Sequence, residues 1–301
     1  MENLIIIFAL LLLGMAFSRL ETFPQNGSQT LNLFIIYVSL PALILLQVPR
    51  LTFTKDLLSP VLLPWAMLLV SALLVQSASR IFRWQRPTTG ALMLIVPLGN
   101  TSFFGIPMVE AFWGRNSISY AVLYDQFGSF LALSTYGSII LATYSGSEKP
   151  DPLAIIKRIC LFPPFIALVL GLLTMSVPYP AVLIIVLEKI AASLVPVVMV
   201  AIGLQIKLKL PPGSWMPFSV GLAIKLVVAP LIAAAICLML NQHGLAAKVS
   251  VFEAGMPPMV TAGALALIAG LAPELTAAMV GLGLMASFLT LPVLFQLLQM
   301  F

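Results

Sequence analysis

Charge is what this sequence has least of. Of its 301 residues only 8% are Asp, Glu, Lys or Arg, against about 25% in soluble domains. It holds a single histidine and two cysteines, so metal or redox chemistry has almost no material. Cys160 and Cys237 fall in separate apolar segments and read as small core residues. His243 sits in a short link, and the sequence beside it shows no convincing Ser or Cys nucleophile for it to activate. A paired-aspartate diphosphate motif, a His-Glu-x-x-His and a nucleotide-binding loop are all missing. An intramembrane aspartyl protease would need a second buried aspartate beside Asp125. These absences exclude an enzyme. The net charge of +5 is no footprint for nucleic acid; it marks which loops stay in the cytoplasm.

What is present is apolar: 61% of the residues are hydrophobic and the mean hydropathy is +1.11. The expectation is an all-α, polytopic integral membrane protein. Ten segments reach bilayer length, near 3–18, 31–48, 57–79, 89–112, 117–143, 158–176, 181–206, 215–239, 245–270 and 274–299. The N-terminus lacks the basic region of a cleaved signal, so the first segment reads as a retained span. Links after odd-numbered spans hold nine lysines and arginines (Arg19, Arg80, Arg83, Arg86, Lys149, Lys157, Arg158, Lys207, Lys209). Links after even-numbered spans hold four (Arg50, Lys55, Arg115, Lys248). The asymmetry predicts both termini outside and the midpoint link in the cytoplasm.

The two halves echo one another. Pro41 in Ser39-Leu40-Pro41 and Pro196 in Ser193-Leu194-Val195-Pro196 stand 155 residues apart. Gly99-Asn100 and Gly255-Met256 stand 156 apart, and Ser129-Phe130-Leu131-Ala132-Leu133 and Ser287-Phe288-Leu289-Thr290-Leu291 stand 158 apart. Residues 1–145 then form a first five-span repeat, 146–157 a cytoplasmic link and 158–301 a second repeat. Five is odd, so the second repeat enters the membrane inverted, as in many secondary transporters with midplane sites.

Two spans carry interruptions. The fourth contains Val96-Pro97-Leu98-Gly99-Asn100-Thr101-Ser102-Phe103-Phe104-Gly105-Ile106-Pro107, and the ninth Glu253-Ala254-Gly255-Met256-Pro257-Pro258-Met259-Val260-Thr261. Proline removes a backbone donor and clashes with the preceding turn. Bare backbone at bilayer depth persists only inside protein or beside a watery cavity. The reading is two discontinuous helices crossing at a transport site; the alternative is a pair of proline-kinked packing helices. Gly99, Asn100, Thr101, Ser102, Met256, Pro257 and Thr261 are candidate substrate contacts, the hydroxyls serving otherwise as interhelical hydrogen bonds. Half-helix N-termini would favour a carboxylate and C-termini a cation.

Few ions lie within spans, and each is a candidate by default. Glu253 reads as a proton carrier, a sodium ligand or one half of an ion pair. Asp125 is either its partner in ion coupling or hydrated near the surface. Lys225 needs a counter-charge, from Glu253, Asp125 or an anionic substrate. Gln76 is a weaker candidate for binding a cation. Sodium at Glu253 is the sole metal these residues suggest, and no other cofactor is expected.

Ser39-Leu40-Pro41-Ala42, the fourth-span motif from Gly99 to Pro107, Lys225-Leu226-Val227-Val228-Ala229-Pro230, Met256-Pro257 and Ser287-Phe288-Leu289-Thr290-Leu291-Pro292 together resemble the auxin efflux carrier family. The likeness covers essentially the whole chain. That family is similar in architecture to the bile acid:sodium symporters. The resemblance implies ten spans in two inverted repeats, with crossing broken helices 4 and 9. It also implies a scaffold of spans 1, 2, 6 and 7, a transport domain of spans 3–5 and 8–10, elevator-like motion and a homodimer through the scaffold. Members export auxin in plants or move malate, malonate and related anions in bacteria. Plant carriers have Asn-Pro at both breaks; here Asn100 precedes Thr101 and Met256 precedes Pro257, which points away from auxin. Glu253-Ala254-Gly255-Met256 resembles the Glu-x-Gly-Met of the bile acid symporters' sodium site, with Pro257 in place of their glutamine. The expectation is a secondary transporter of small mono- or dicarboxylates, coupled to sodium, protons or neither. A sodium symporter of larger amphipathic anions and a non-transporting membrane sensor are the alternatives.

Overall fold

The computed structural model describes residues 2–20, 22–24, 26–51, 55–146, 151–206 and 213–300. Lys149, Lys207 and Lys209, counted in the charge asymmetry, lie outside the described residues. The described chain is helical, with no strand longer than an isolated bridge. We number its helices α1 (Glu2–Phe17), α2 (Gly27–Arg50), α3 (Leu58–Phe82), α4 (Arg86–Ile95), α5 (Ile106–Trp113), α6 (Arg115–Ser145), α7 (Pro152–Cys160), α8 (Pro163–Leu173), α9 (Ala181–Gln205), α10 (Trp215–Met239), α11 (Leu245–Ala254), α12 (Val260–Ile268) and α13 (Pro273–Gln299).

Among the described residues, α2, α3, α6, α9, α10 and α13 are long and apolar enough to cross a bilayer, and α7 with α8 makes a seventh crossing if counted together. Ten such segments were expected. The difference has local causes: α1 is apolar but short, and the expected fourth and ninth spans are each divided. The sixth departs most, because helix starts at Pro152 inside the expected link, and α7 bends from α8 by 61°. Cys237 is buried, as a small core residue should be, but Cys160 is exposed at the end of α7. The core assignment of Cys160 is corrected: no residue of α7 is buried.

The chain forms two compact units. One comprises Met1–Thr54, Ser102–Val122 and Lys157–Ile206. In it α1 packs along α9, and α8 along α2. Gly14 lets α1 approach so closely that a methyl group there would strike the Val200 carbonyl, and Gly203 meets the Leu11 carbonyl from the opposite side. Gly171 of α8 rests against Val48 of α2. Ser39 and Ser193 hydroxyls hydrogen-bond at 2.8 Å.

The other unit comprises Lys55–Thr101, Leu123–Ile156 and Lys207–Phe301. Its apolar core joins α3, α4, α6, α12 and α13 through side chains such as Leu68, Leu92, Ile95, Ala132, Ala262 and Met279. The core surrounds the interruptions, and α3, α6, α10 and α11 close the remaining sides.

Candidate functional site

Helix α4 stops at Ile95, two residues before Pro97, and α11 at Ala254, three residues before Pro257. A proline at position i leaves the carbonyl at i−4 without its helical donor. For Pro97 that carbonyl is Met93, and the Tyr136 hydroxyl donates to it at 2.7 Å. For Pro258 it is Ala254, and the Lys225 ammonium donates to it at 3.4 Å. Side chains from α6 and α10 thus replace the missing backbone donors. An ammonium at the end of α11 also meets the negative pole of the helix dipole.

The two interruptions pair with each other. The Asn100 amide donates to the Pro257 carbonyl at 2.8 Å and the Met259 amide to the Leu98 carbonyl at 3.0 Å. Between them Gly99 and Pro258 form an antiparallel bridge. Backbone that would otherwise be bare at bilayer depth is satisfied in this way. Gly99 is needed for closeness: a methyl group there would lie 3.0 Å from Lys225 Nζ.

Around this bridge the unit buries its ions. Relative exposures are 0% for Glu253, 1% for Asp125 and 3% for both Lys225 and Asn100. Asp125 and Lys225 stand on π-helical turns, Tyr124–Phe130 and Ile224–Val228, a distortion that recurs at functional sites. Asp125 accepts from the Thr101 hydroxyl at 2.6 Å and from the Gln126 amide at 2.6 Å. Among the described residues both Glu253 oxygens, Gln126 Oε1 and Asn100 Nδ2 are buried without a hydrogen-bond partner. Glu253 and Lys225 form no ion pair within 4.0 Å, although each lies in electrostatic range of the other. A small cavity lined by Gly99, Thr101, Tyr124, Ser129, Lys225 and Glu253, among others, has room for roughly one water molecule. On its far side Gly128 abuts the Pro64 ring, and the Trp65 indole donates to the Phe127 carbonyl at 2.9 Å.

The structure thus brings Gly99, Asn100, Thr101, Pro257, Lys225, Glu253 and Asp125 into one unit around the paired breaks. Met256 is fully buried beside them, and its amide donates to the Glu253 carbonyl at 3.1 Å. Thr261 is exposed, one residue into α12. Gln76 accepts from the Tyr144 hydroxyl at 3.4 Å and does not line the cavity. Ser102 falls with the first unit. Gln126 was missed by sequence reasoning, and the available signal was its place directly after an intramembrane aspartate. Within the first unit a larger cavity of about 170 Å³ is lined by Gln47, Arg50, Glu110, Arg115 and Glu188, with Glu110 and Arg115 paired at 3.5 Å. Its mixed charges select no one class of ligand.

The sequence profile of a family described as membrane transport protein matches residues 1–295. An uncharacterized transporter of Methanothermobacter thermautotrophicus is 27% identical over 97% of this chain and 96% of its own length. An uncharacterized transporter of Methanocaldococcus jannaschii is 24% identical over 85% of each. A match that spans nearly the whole chain, on apolar helices that fit a bilayer, makes this an integral membrane transporter and not an enzyme. The chain belongs to the auxin efflux carrier family of membrane transport proteins.

Proposed function

We propose that the protein is a secondary active transporter of small organic anions, mono- or dicarboxylates, whose site is the paired interruption of α4 and α11–α12. The observation that carries the reading is the burial of Lys225, Asp125 and Glu253 around that pairing. Ions at bilayer depth are costly, and they persist where substrate or coupling ion passes. The orphaned groups are of two kinds. Asn100 Nδ2 is a free donor and Lys225 uses one long bond for three N–H groups, which suits a carboxylate. Glu253 and Gln126 Oε1 offer acceptors, which suits sodium or a proton travelling with it. Space for about one water fits the small cation as the site stands. An organic acid enters after Lys225 or the flanking segments move, and a larger amphipathic anion requires far more opening.

The architecture we infer is ten crossings in two inverted five-helix repeats, with the divided fourth and ninth crossings counted whole. Contacts inside the first unit support it. Gly14 and Gly171 lie one repeat length apart, as do Val48 and Gly203, so the contact of Gly14 with Gly203 has its counterpart in that of Gly171 with Val48. Ser39 touches its own counterpart, Ser193, as a residue on a two-fold axis does. In this reading spans 1, 2, 6 and 7 are a scaffold, spans 3–5 and 8–10 carry the site across the membrane, and a homodimer forms through the scaffold. Both termini face outward from the plasma membrane.

The test is uptake of labelled mono- and dicarboxylates into proteoliposomes, with and without sodium and proton gradients. Flux above protein-free vesicles that is lost in Lys225→Met or Asn100→Ala is the expected result. Folded protein that moves no acid under any gradient overturns the proposal.

A further inference from the structure

Helix α7 buries none of its residues against the rest of the chain. Its nine residues nevertheless sort into two faces. At 3.6 residues per turn, Pro152, Leu153, Ile155, Ile156, Ile159 and Cys160 occupy one arc of roughly 160°, and Ala154, Lys157 and Arg158 occupy the other. Leu153 and Ile156 are 72% and 56% exposed, with nothing in the described chain to cover them. Asp151 opens the helix by accepting the Leu153 amide at 3.0 Å.

Two further observations fix where this helix lies. Only Leu161 and Phe162 separate it from α8. That next helix is apolar and packs Pro164, Ala167, Leu168 and Gly171 inside its unit, so α7 directly adjoins a segment suited to the bilayer interior. The 61° bend then turns α7 away from the direction of the crossing. A short helix at the membrane boundary, turned from its transmembrane neighbour, with one apolar and one basic face, has the form of an interfacial helix. The alternative use of Lys157 and Arg158, as charges favourable at a helix C-terminus, explains their position but leaves the exposed apolar face unused.

We propose that α7 lies in the plane of the membrane, its leucine–isoleucine face among the acyl chains and Lys157 and Arg158 on the headgroups of acidic phospholipid. The border between the two compact units falls within α7, between Ile156 and Lys157. The anchor therefore holds one of the five places where the chain passes from one unit to the other, and acidic lipid sets how firmly it is held. The proposal is independent of what the protein transports.

The helix carries its own reporter. With Cys237→Ala, Cys160 is the sole remaining thiol and takes a nitroxide label; Ile156→Cys and Ala154→Cys, each in a Cys160→Ala, Cys237→Ala background, add one position on each face. The full-length protein is placed in nanodiscs of phosphatidylcholine with or without phosphatidylglycerol, and label depth is read from relaxation by oxygen against a water-soluble nickel chelate. Labels at 156 and 160 are expected at shallow bilayer depth and the label at 154 in water. Lys157→Gln with Arg158→Gln should lower the ratio of membrane-held to free helix on the order of thirty-fold in discs containing phosphatidylglycerol, at about fivefold per basic residue. High salt should do the same to the unsubstituted protein without any change of sequence. Three labels equally accessible to water, three equally deep, or an interfacial helix indifferent to phosphatidylglycerol, salt and the double substitution would each overturn the proposal.

Discussion

Replacing Glu253 by glutamine asks whether that carboxylate is structural or functional, and the sign of the stability change gives the answer. A carboxylate held in a buried ion pair leaves its partner uncompensated when it is removed, at a cost of about 3–5 kcal/mol. Here Glu253 has no ion pair within 4.0 Å, and neither oxygen has a hydrogen-bond partner among the described residues. The substitution keeps the side chain's shape and forfeits no bond. It relieves the desolvation of any charge the group carries, while introducing amide hydrogens that need partners of their own. The balance is expected between no change and a gain of about 2 kcal/mol. For a chain this long that is a rise of up to about 4 °C in midpoint. The measurement is thermal unfolding of purified protein in detergent without added acid, followed by the intrinsic fluorescence of its four tryptophans. Transport should fall in the same variant, since a group that stabilises nothing yet stays buried is retained for passage. A drop of about 6 °C or more, the size of a broken buried pair, would refute the reasoning and return Glu253 to a structural role.

Thr101→Val removes the hydroxyl that donates to Asp125 at 2.6 Å and should cost about 1.5–3 kcal/mol in the same unfolding assay, as for other hydrogen bonds to a charged group. Thr101→Ser keeps the donor and should recover most of that loss. Gly128→Ala drives a methyl group into the Pro64 ring, which cannot rotate aside, and should destabilise by about 1–3 kcal/mol through overpacking. Gly99→Ala meets the flexible end of Lys225 at 3.0 Å and the Glu253 carbonyl at an ordinary contact of 3.6 Å, and should cost less than Gly128→Ala in stability while still reducing flux; a larger loss at Gly99 than at Gly128 would contradict the packing described.

What the sequence made legible follows from two scarcities. Proline cannot donate to a helix, so Pro97 and Pro257-Pro258 announced where α4 and α11 must end, and ends they are. Ions are so few in this chain that Asp125, Lys225 and Glu253 stood out singly, and all three are buried in the same unit. What was illegible depends on the phase of a helix or on a partner far along the chain. Thr261 follows the second break closely, yet one step into α12 its side chain is exposed. Gln76 had only its polarity to recommend it, and Tyr144 accounts for its place. Helix α7 was hidden because Pro150-Asp151-Pro152 reads as a loop, whereas Pro152 merely opens a helix that tolerates proline in its first turn.

The same proline chemistry ties the site to its surroundings. Each carbonyl freed by a proline is taken by a side chain from a third helix: Met93 by Tyr136, Ala254 by Lys225. These two bonds are not equivalent. Tyr136 is neutral and caps at 2.7 Å, a bond with no reason to be exchanged. Lys225 caps at the longer 3.4 Å, and an ionised carboxylate would add a charge–charge attraction to the ammonium that a neutral carbonyl lacks. On the proposed function, a carboxylate arriving beside Gly99 would compete with the Ala254 carbonyl for the same ammonium. Where the ligand wins, α11 loses its cap next to Glu253. On the proposed function, binding of the anion and the state of the carboxylate would be linked, because the lysine that would meet the ligand also caps the helix end on which Glu253 stands.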